Sequence, residues 1–296
     1  MRLKLLRFIG RTFLFIMKYF VVFIFIIPKL IYASSYSFSL MNESLVVQGN
    51  YYVGPVFGKY DYQSNTNVTL DSYYIMRTEI TYNSYNETLL WARGHGYNFN
   101  DGCNGSIYDD CRSSEADNKE HPITNIAWLD TIIFANALSE KLGLSPVYIT
   151  EQNTVLRDTS QYKFIVNYHA NGYRLPTMIE WMVAARGGKP ALEDGTYGNY
   201  YSGSNNVKEV AWFPTPNTDQ FGTSPVGKLK ANALWLYDMS GNVYEWVYDS
   251  ETTFNNAMYY FCGGSYLQPG ILSSCDVHSA GFVMPDIGFR LVRSAK

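Results

Sequence analysis

This chain has little of what enzymes usually build their centres from. Its four histidines, His95, His121, His169 and His278, are scattered, and none stand at the His-x3-His spacing that would put two imidazoles on one helix face. No Cys-x2-Cys pair, Gly-x-Ser-x-Gly elbow or phosphate-cradling loop occurs. These absences argue against zinc hydrolases, serine hydrolases and P-loop nucleotidases. Charge of one sign is scarce too: 23 Lys and Arg against 26 Asp and Glu leave a formal net charge of −3. With no basic stripe beyond the N-terminus, nucleic acid is not an expected partner. No internal repeat is visible, and only one long apolar run is present.

That run lies at the N-terminus. Arg2, Lys4, Arg7, Arg11 and Lys18 precede the apolar stretch from Tyr19 to Ile27, and Ala33, Ser34 and Ser35 follow as small residues suited to cleavage. Residues 1–35 therefore read as a signal peptide, with an uncleaved N-terminal anchor as the alternative. The run is short for a membrane span and Lys18 interrupts it. Membrane contact is expected through this segment only, and the protein is expected in the periplasm, at the cell surface or secreted. Four cysteines in an exported chain point to two disulfides, although four allow three pairings. Cys103 and Cys111 share a polar loop, and Cys262 and Cys275 flank Gly263-Gly264-Ser265-Tyr266, so these two local pairs are the expected ones. Free buried thiols are the alternative. Tyrosine is abundant, at 26 residues, and its large ring with a polar tip suits a recognition surface.

Residues 36–70 are polar and rich in Tyr, Asn and Ser, and read as a leader strand or linker, so the folded domain is expected over 71–296. A strand over Tyr73 to Arg77 leads to a helix around Asn83 to Ala92. Gly94 to Glu120 lacks a hydrophobic period and reads as a long surface loop. Trp128, Thr131, Ile132, Ala135, Leu138 and Leu142 recur at helical spacing with Gly143 behind them. A second main helix opens at Pro176-Thr177, where Thr177 and Glu180 form a capping box, and ends at Gly187-Gly188. Short strands are expected at Val210 to Phe213, Pro225 to Gly227, Tyr244 to Tyr248 and Phe289 to Val292. Two main helices and many short strands make a single α+β domain.

Five motifs then stand in order: Asn125-Ile126-Ala127-Trp128; Arg174-Leu175-Pro176-Thr177 with Glu180-Trp181; Asp238-Met239-Ser240-Gly241-Asn242-Val243-Tyr244-Glu245-Trp246; Gly263-Gly264-Ser265-Tyr266; and Gly288-Phe289-Arg290. Together they resemble the formylglycine-generating-enzyme, or sulfatase-modifying-factor, family from about Asp71 to Arg293. The resemblance implies a C-type-lectin-like fold. It also implies calcium at Asn242 and Glu245, since a turn can offer that hard cation an amide oxygen, carbonyls and a carboxylate together. A second calcium site is implied near Asp219, through its side chain, and Phe221, through its carbonyl. The copper of the catalytic members is not expected. They carry two cysteines after Gly-Gly-Ser-Tyr whose thiolates bind Cu(I), and this chain has Gln268 and Ser273 in those places.

The family's ligand groove would be lined here by Ser265, Tyr266, Gln268, Ser273 and His278, with Leu267, Ile271, Leu272, Phe282, Val283 and Met284 displayed beside it. The leading expectation is an exported, non-copper member that binds a peptide, glycan or protein there. The rival is an oxidoreductase acting on a substrate cysteine, with Cys262 and Cys275 as displaced catalytic candidates. A structural envelope protein is the third reading.

Overall fold

The order of elements begins with β1 (Glu43–Val46), β2 (Gly49–Val53), β3 (Thr66–Leu70), β4 (Tyr73–Met76) and α1 (Tyr82–Arg93). Short strands β5 (Cys103–Asn104), β6 (Ser106–Ile107), β7 (Asp110–Cys111) and β8 (Ile123–Thr124) lead to α2 (Trp128–Lys141), β9 (Tyr148–Ile149) and β10 (Ile165–Val166). Helices α3 (Met178–Ala185), α4 (Gly188–Asp194) and α5 (Val207–Val210) follow. The chain closes with β11 (Tyr244–Thr253), β12 (Asn256–Cys262), β13 (Cys275–Ser279), β14 (Ile287–Gly288) and β15 (Val292–Ser294). This computed structural model describes residues 42–54, 66–108, 110–112, 120–213, 221–253, 256–272 and 274–295. The expected signal segment lies outside them, as do Asp219 and Ser273. No helix among the described residues is long and apolar enough to cross a membrane.

The architecture is α+β. A four-stranded sheet of order β13-β12-β11-β14 carries its centre, antiparallel except for β11 and β14. Alternation puts Tyr260 and Cys262 of β12 on one face, in a cluster with Met178, Trp181 and Met182 of α3. Tyr259 and Phe261 point the other way. There Trp128 of α2 stacks on Tyr259 at 3.8 Å, and Trp246 meets Phe261 edge-on at 5.2 Å. Each of the three core tryptophans also places its N–H: Trp128 on Val247 O at 2.8 Å, Trp246 on Ile126 O at 3.2 Å, and Trp181 on Glu245 Oε2 at 2.7 Å. Such a partner is what makes a buried indole affordable.

The two main helices form where their sequence patterns place them. In α2 the side chain of Asp130 accepts the Ala127 N–H at 2.9 Å, capping the first turn, and Gly143 leaves the helix at φ +73°. In α3 the capping box is complete, with Glu180 N–H on Thr177 Oγ1 at 3.2 Å and Thr177 N–H on Glu180 Oε2 at 2.8 Å. Arg174 grips the same carboxylate with two bonds of 2.6 Å. The Arg-Leu-Pro-Thr motif therefore serves as an N-terminal clamp on α3.

Four expectations need correction. The segment expected to be a leader is folded where it is described: β2 pairs with β3, and Val46, Tyr51 and Val53 are buried with Tyr73 and Trp181 in one cluster. Its inward and outward faces do not sort by polarity, with Glu43 and Ser44 buried and Leu45 and Tyr52 exposed, which hid the strands. The stretch from Gly94 to Glu120 holds three short strands, and Tyr97, Phe99 and Cys103 anchor it inward. Phe99, for example, packs edge-on to Phe134 at 6.2 Å. Val207–Val210 is a helical turn capped by Asn206, and Ala211 to Phe213 behind it form no strand. No strand forms over Pro225 to Gly227, where the chain turns and Gly227 N–H bonds to Asp238.

Burial of side chains such as Val46, Tyr51 and Val53 contributes about 1.5–3 kcal/mol each. A chain beginning at Asp71 is therefore expected to unfold well below one beginning at Tyr36, or to collect in the insoluble fraction. Thermal unfolding of the two, followed by circular dichroism, checks this.

Candidate functional site

Two motif turns clasp each other at the heart of the molecule. Gly241 N–H donates to Gly263 O at 2.8 Å, and Tyr266 N–H donates to Asn242 O at 2.7 Å. Both turns need unusual backbone. Asn242 sits at φ +60°, where asparagine is among the few side chains tolerated. Gly264 sits at φ +76°, and a Cβ there would lie 1.9 Å from Gly270 N. The loop from Gly263 to Gly270 folds onto itself that tightly, with Ser265 and Gln268 exchanging backbone bonds.

Beneath the clasp lies a buried ion pair. Arg290, fully buried, forks onto Glu245 with Nε on Oε2 at 2.7 Å and Nη2 on Oε1 at 2.6 Å. Its remaining donors go to the carbonyls of Met76, Arg77 and Tyr237. All five guanidinium N–H groups are thus used. Two more carboxyls are buried here, Glu79 and Asp238. Burial and the neighbouring Asp238 hold Glu79 well above the usual carboxylate range. Burial pushes Asp238 up to about 6. Asn242 donates to the other Glu79 oxygen and Gly227 N–H to the other Asp238 oxygen, while Glu79 Oε2 and Asp238 Oδ1 have no hydrogen-bond partner among the described residues. Two carboxyls thus lie buried beside the fork, both pushed toward their neutral forms.

These contacts decide the metal question at this turn. Both oxygens of Glu245 are spent on Arg290 and Trp181. Asn242 accepts the Ser224 N–H on Oδ1 at 2.9 Å and donates Nδ2 to Glu79 at 3.0 Å. A calcium ion would have to displace a guanidinium from its only counter-charged fork, so Asn242 and Glu245 do not fit one. The Phe221 carbonyl accepts the Tyr108 N–H at 3.3 Å. Among the described residues no group of three His, Cys, Asp or Glu is placed to hold a metal.

Copper fits no better. Cys262 and Cys275 face each other across β12 and β13 and are joined in a disulfide, both buried. Neither offers the thiolate that Cu(I) requires. Cys103 and Cys111 form the second disulfide, and no described cysteine is free.

The expected groove is only partly a surface. Ser265 is buried and donates to Asp286 Oδ2 at 2.7 Å, and Tyr266 is buried with its hydroxyl on the Tyr108 carbonyl. Leu272 belongs to the core, while Leu267, Gln268 and Val283 are exposed. His278 lies on β13 and stacks on Phe282. Burial and Arg112 hold His121 down to about 4, and its Nδ1 is engaged with Thr223 Oγ1 at 2.9 Å.

One feature of this face escaped the sequence. Tyr108, 57% exposed, stacks on Phe221 at 5.0 Å. Its backbone sits at φ +50°, a costly conformation for a tyrosine. The Phe221 carbonyl and the Tyr266 hydroxyl hold it there from both sides. An aromatic residue lodged among Gly, Asn and Asp was the signal that could have drawn notice.

Two outcomes follow for this core. Asp238 is raised in the folded state, so its contribution to stability is present below about pH 4 and is lost as pH rises through about 6. Asp238→Asn removes that titration and suits the local φ of +58°. The melting temperature of the natural chain is expected to fall relative to this variant between pH 5 and pH 8. The occupied oxygens also imply that calcium and chelator leave the melting temperature unchanged, which scanning fluorimetry with and without EDTA checks.

The comparisons agree with this geometry. The description "Sulfatase-modifying factor enzyme 1-like domain" matches residues 33–295. The "Chaperone protein LppX" of Paenibacillus barcinonensis is 33% identical over 259 residues, covering 78% of this chain and 83% of that protein. A formylglycine-generating enzyme of Mycobacterium tuberculosis is 42% identical over 81 residues, 25% of this chain and 26% of that enzyme. The crystal structure of CarF superposes with a TM-score of 0.80 at 48% identity, covering 86% of this chain and 98% of that one. With its motif turns clasped over a Glu–Arg fork and its cysteines closed as disulfides, the chain belongs to the sulfatase-modifying factor enzyme 1-like family.

Proposed function

We propose that this chain is an exported, non-copper member of its family that holds a polypeptide partner on the face bearing Tyr108 and Phe221. The exposed Tyr108–Phe221 stack carries the reading. A strained backbone that presents a large aromatic to solvent, braced by two hydrogen bonds, has no role in packing the core. Stacked rings of this kind offer much apolar area with little side-chain entropy to lose, which suits protein recognition. A relative named a chaperone, aligned over most of both chains, supports a polypeptide over a glycan. The two disulfides favour an oxidising compartment, in keeping with the N-terminal sequence. Closure of Cys262 on Cys275 removes the thiols that the oxidoreductase alternative required.

The test separates binding from folding. Glycine is the residue best suited to φ +50°, so Tyr108→Gly is expected to fold at least as well as the natural chain. Combined with Phe221→Ser, it should weaken binding of a permanently unfolded probe, reduced and carboxymethylated lysozyme, by tenfold or more. Surface plasmon resonance measures it. Unchanged affinity in the double variant refutes the reading.

A further inference from the structure

The central sheet ends on β13, and among the described residues no strand pairs with its outer edge. Register against β12 decides which groups point outward. Gly263 N–H donates to Ser274 O, and the facing pairs continue as Phe261↔Asp276 and Tyr259↔His278. Bonded pairs alternate in an antiparallel ladder. The backbones of Asp276 and His278 therefore face β12, and those of Cys275, Val277 and Ser279 face away from it.

The outward N–H groups are covered only by their own neighbours. Val277 N–H bonds to Asp276 Oδ1 at 2.8 Å, and Ser279 N–H bonds to His278 Nδ1 at 2.9 Å. Each cap joins adjacent residues, so releasing it breaks no tertiary contact. The Ser279 N–H makes Nδ1 of His278 the acceptor nitrogen, and burial lowers the pKa of the ring, which favours its neutral form. No described backbone N–H outside the ladder donates to the Val277 carbonyl. Beside the edge, Val277 packs on the core and the His278 ring lies on Phe282. The Cys262–Cys275 disulfide staples β13 to β12, so a strand pulled onto the edge cannot peel it away.

We propose that β13 is a docking edge to which an extended polypeptide adds as a fifth strand. Its carbonyls take the Val277 and Ser279 N–H groups from Asp276 and His278, and one of its N–H groups reaches the Val277 carbonyl. The spacing selects the partner: outward groups recur every second residue, about 7 Å apart, a repeat matched by another extended backbone and not by a glycan. The caps meanwhile blunt the edge against other copies of the same chain. This inference rests on the polypeptide reading above and adds the strand that receives the partner.

The experiment measures affinity for reduced, carboxymethylated lysozyme in the full chain and three variants. Ser279→Pro removes one outward N–H and leaves pairing with β12 intact, since proline is tolerated where an edge N–H points to solvent. It is expected to weaken binding tenfold or more. Asp276→Ala with His278→Ala removes both caps and is expected to strengthen binding several-fold. If Ser279→Pro does not fold, as its melting curve will show, the uncapped variant decides alone. Affinities within twofold of the natural chain in the edge variants, with binding lost in Tyr108→Gly with Phe221→Ser, overturn the edge and leave the aromatic face standing. No binding by any chain overturns both.

Discussion

The fork between Arg290 and Glu245 is the contact on which the rest of the structure hangs. Its guanidinium reaches the carbonyls of Met76, Arg77 and Tyr237, and its carboxylate reaches Trp181. Segments from the beginning, middle and end of the domain therefore converge on one planar group. Taking both charges out of water is costly, and removing either partner alone would strand the other, a loss of about 3–5 kcal/mol in such pairs. The Glu-Trp and Gly-Phe-Arg motifs, far apart in sequence, are two halves of one device. Their recurrence in a sequence marks the fold before it marks any chemistry.

The same device draws two further carboxyls into the interior. Burial raises Glu79 and Asp238 above the usual carboxylate range, and the cation beside them, already paired with Glu245, only partly offsets that. Asn242 then links these carboxyls to the clasped turns, donating to Glu79 while its own carbonyl receives Tyr266. Buried electrostatics and the exposed aromatic face are thus joined through a single asparagine.

Much of the scaffold was legible in the sequence. Helix α2 declared itself by period and α3 by its capping box, because those signals are local. Both disulfides followed from residues near in sequence. Strands β1 to β3 were not legible, since buried Tyr51 and Val53 flank an exposed Tyr52 and are covered by residues distant in sequence, among them Trp181 and Tyr197. The site was harder still. Asn242 and Glu245 show their donor atoms in the sequence but not their partners, and Arg290, Ser224 and Glu79 arrive only with the fold. Leu272 and Val283 are alike in hydropathy and lie on opposite sides of the surface. No local pattern distinguishes them.

The bond between Cys262 and Cys275 closes a ring around Gly263 to Ser274. Because the two cysteines stand directly opposite in register, the ring hangs from the end of a ladder whose alignment it cannot alter. Substitutions at its exposed positions therefore leave β12 and β13 with their partners. The covalent closure thereby fixes the end of the sheet while the exposed Leu267 and Gln268 are free to vary, and confines that freedom to the tip, since Ser265, Tyr266 and Leu272 of the same ring are buried.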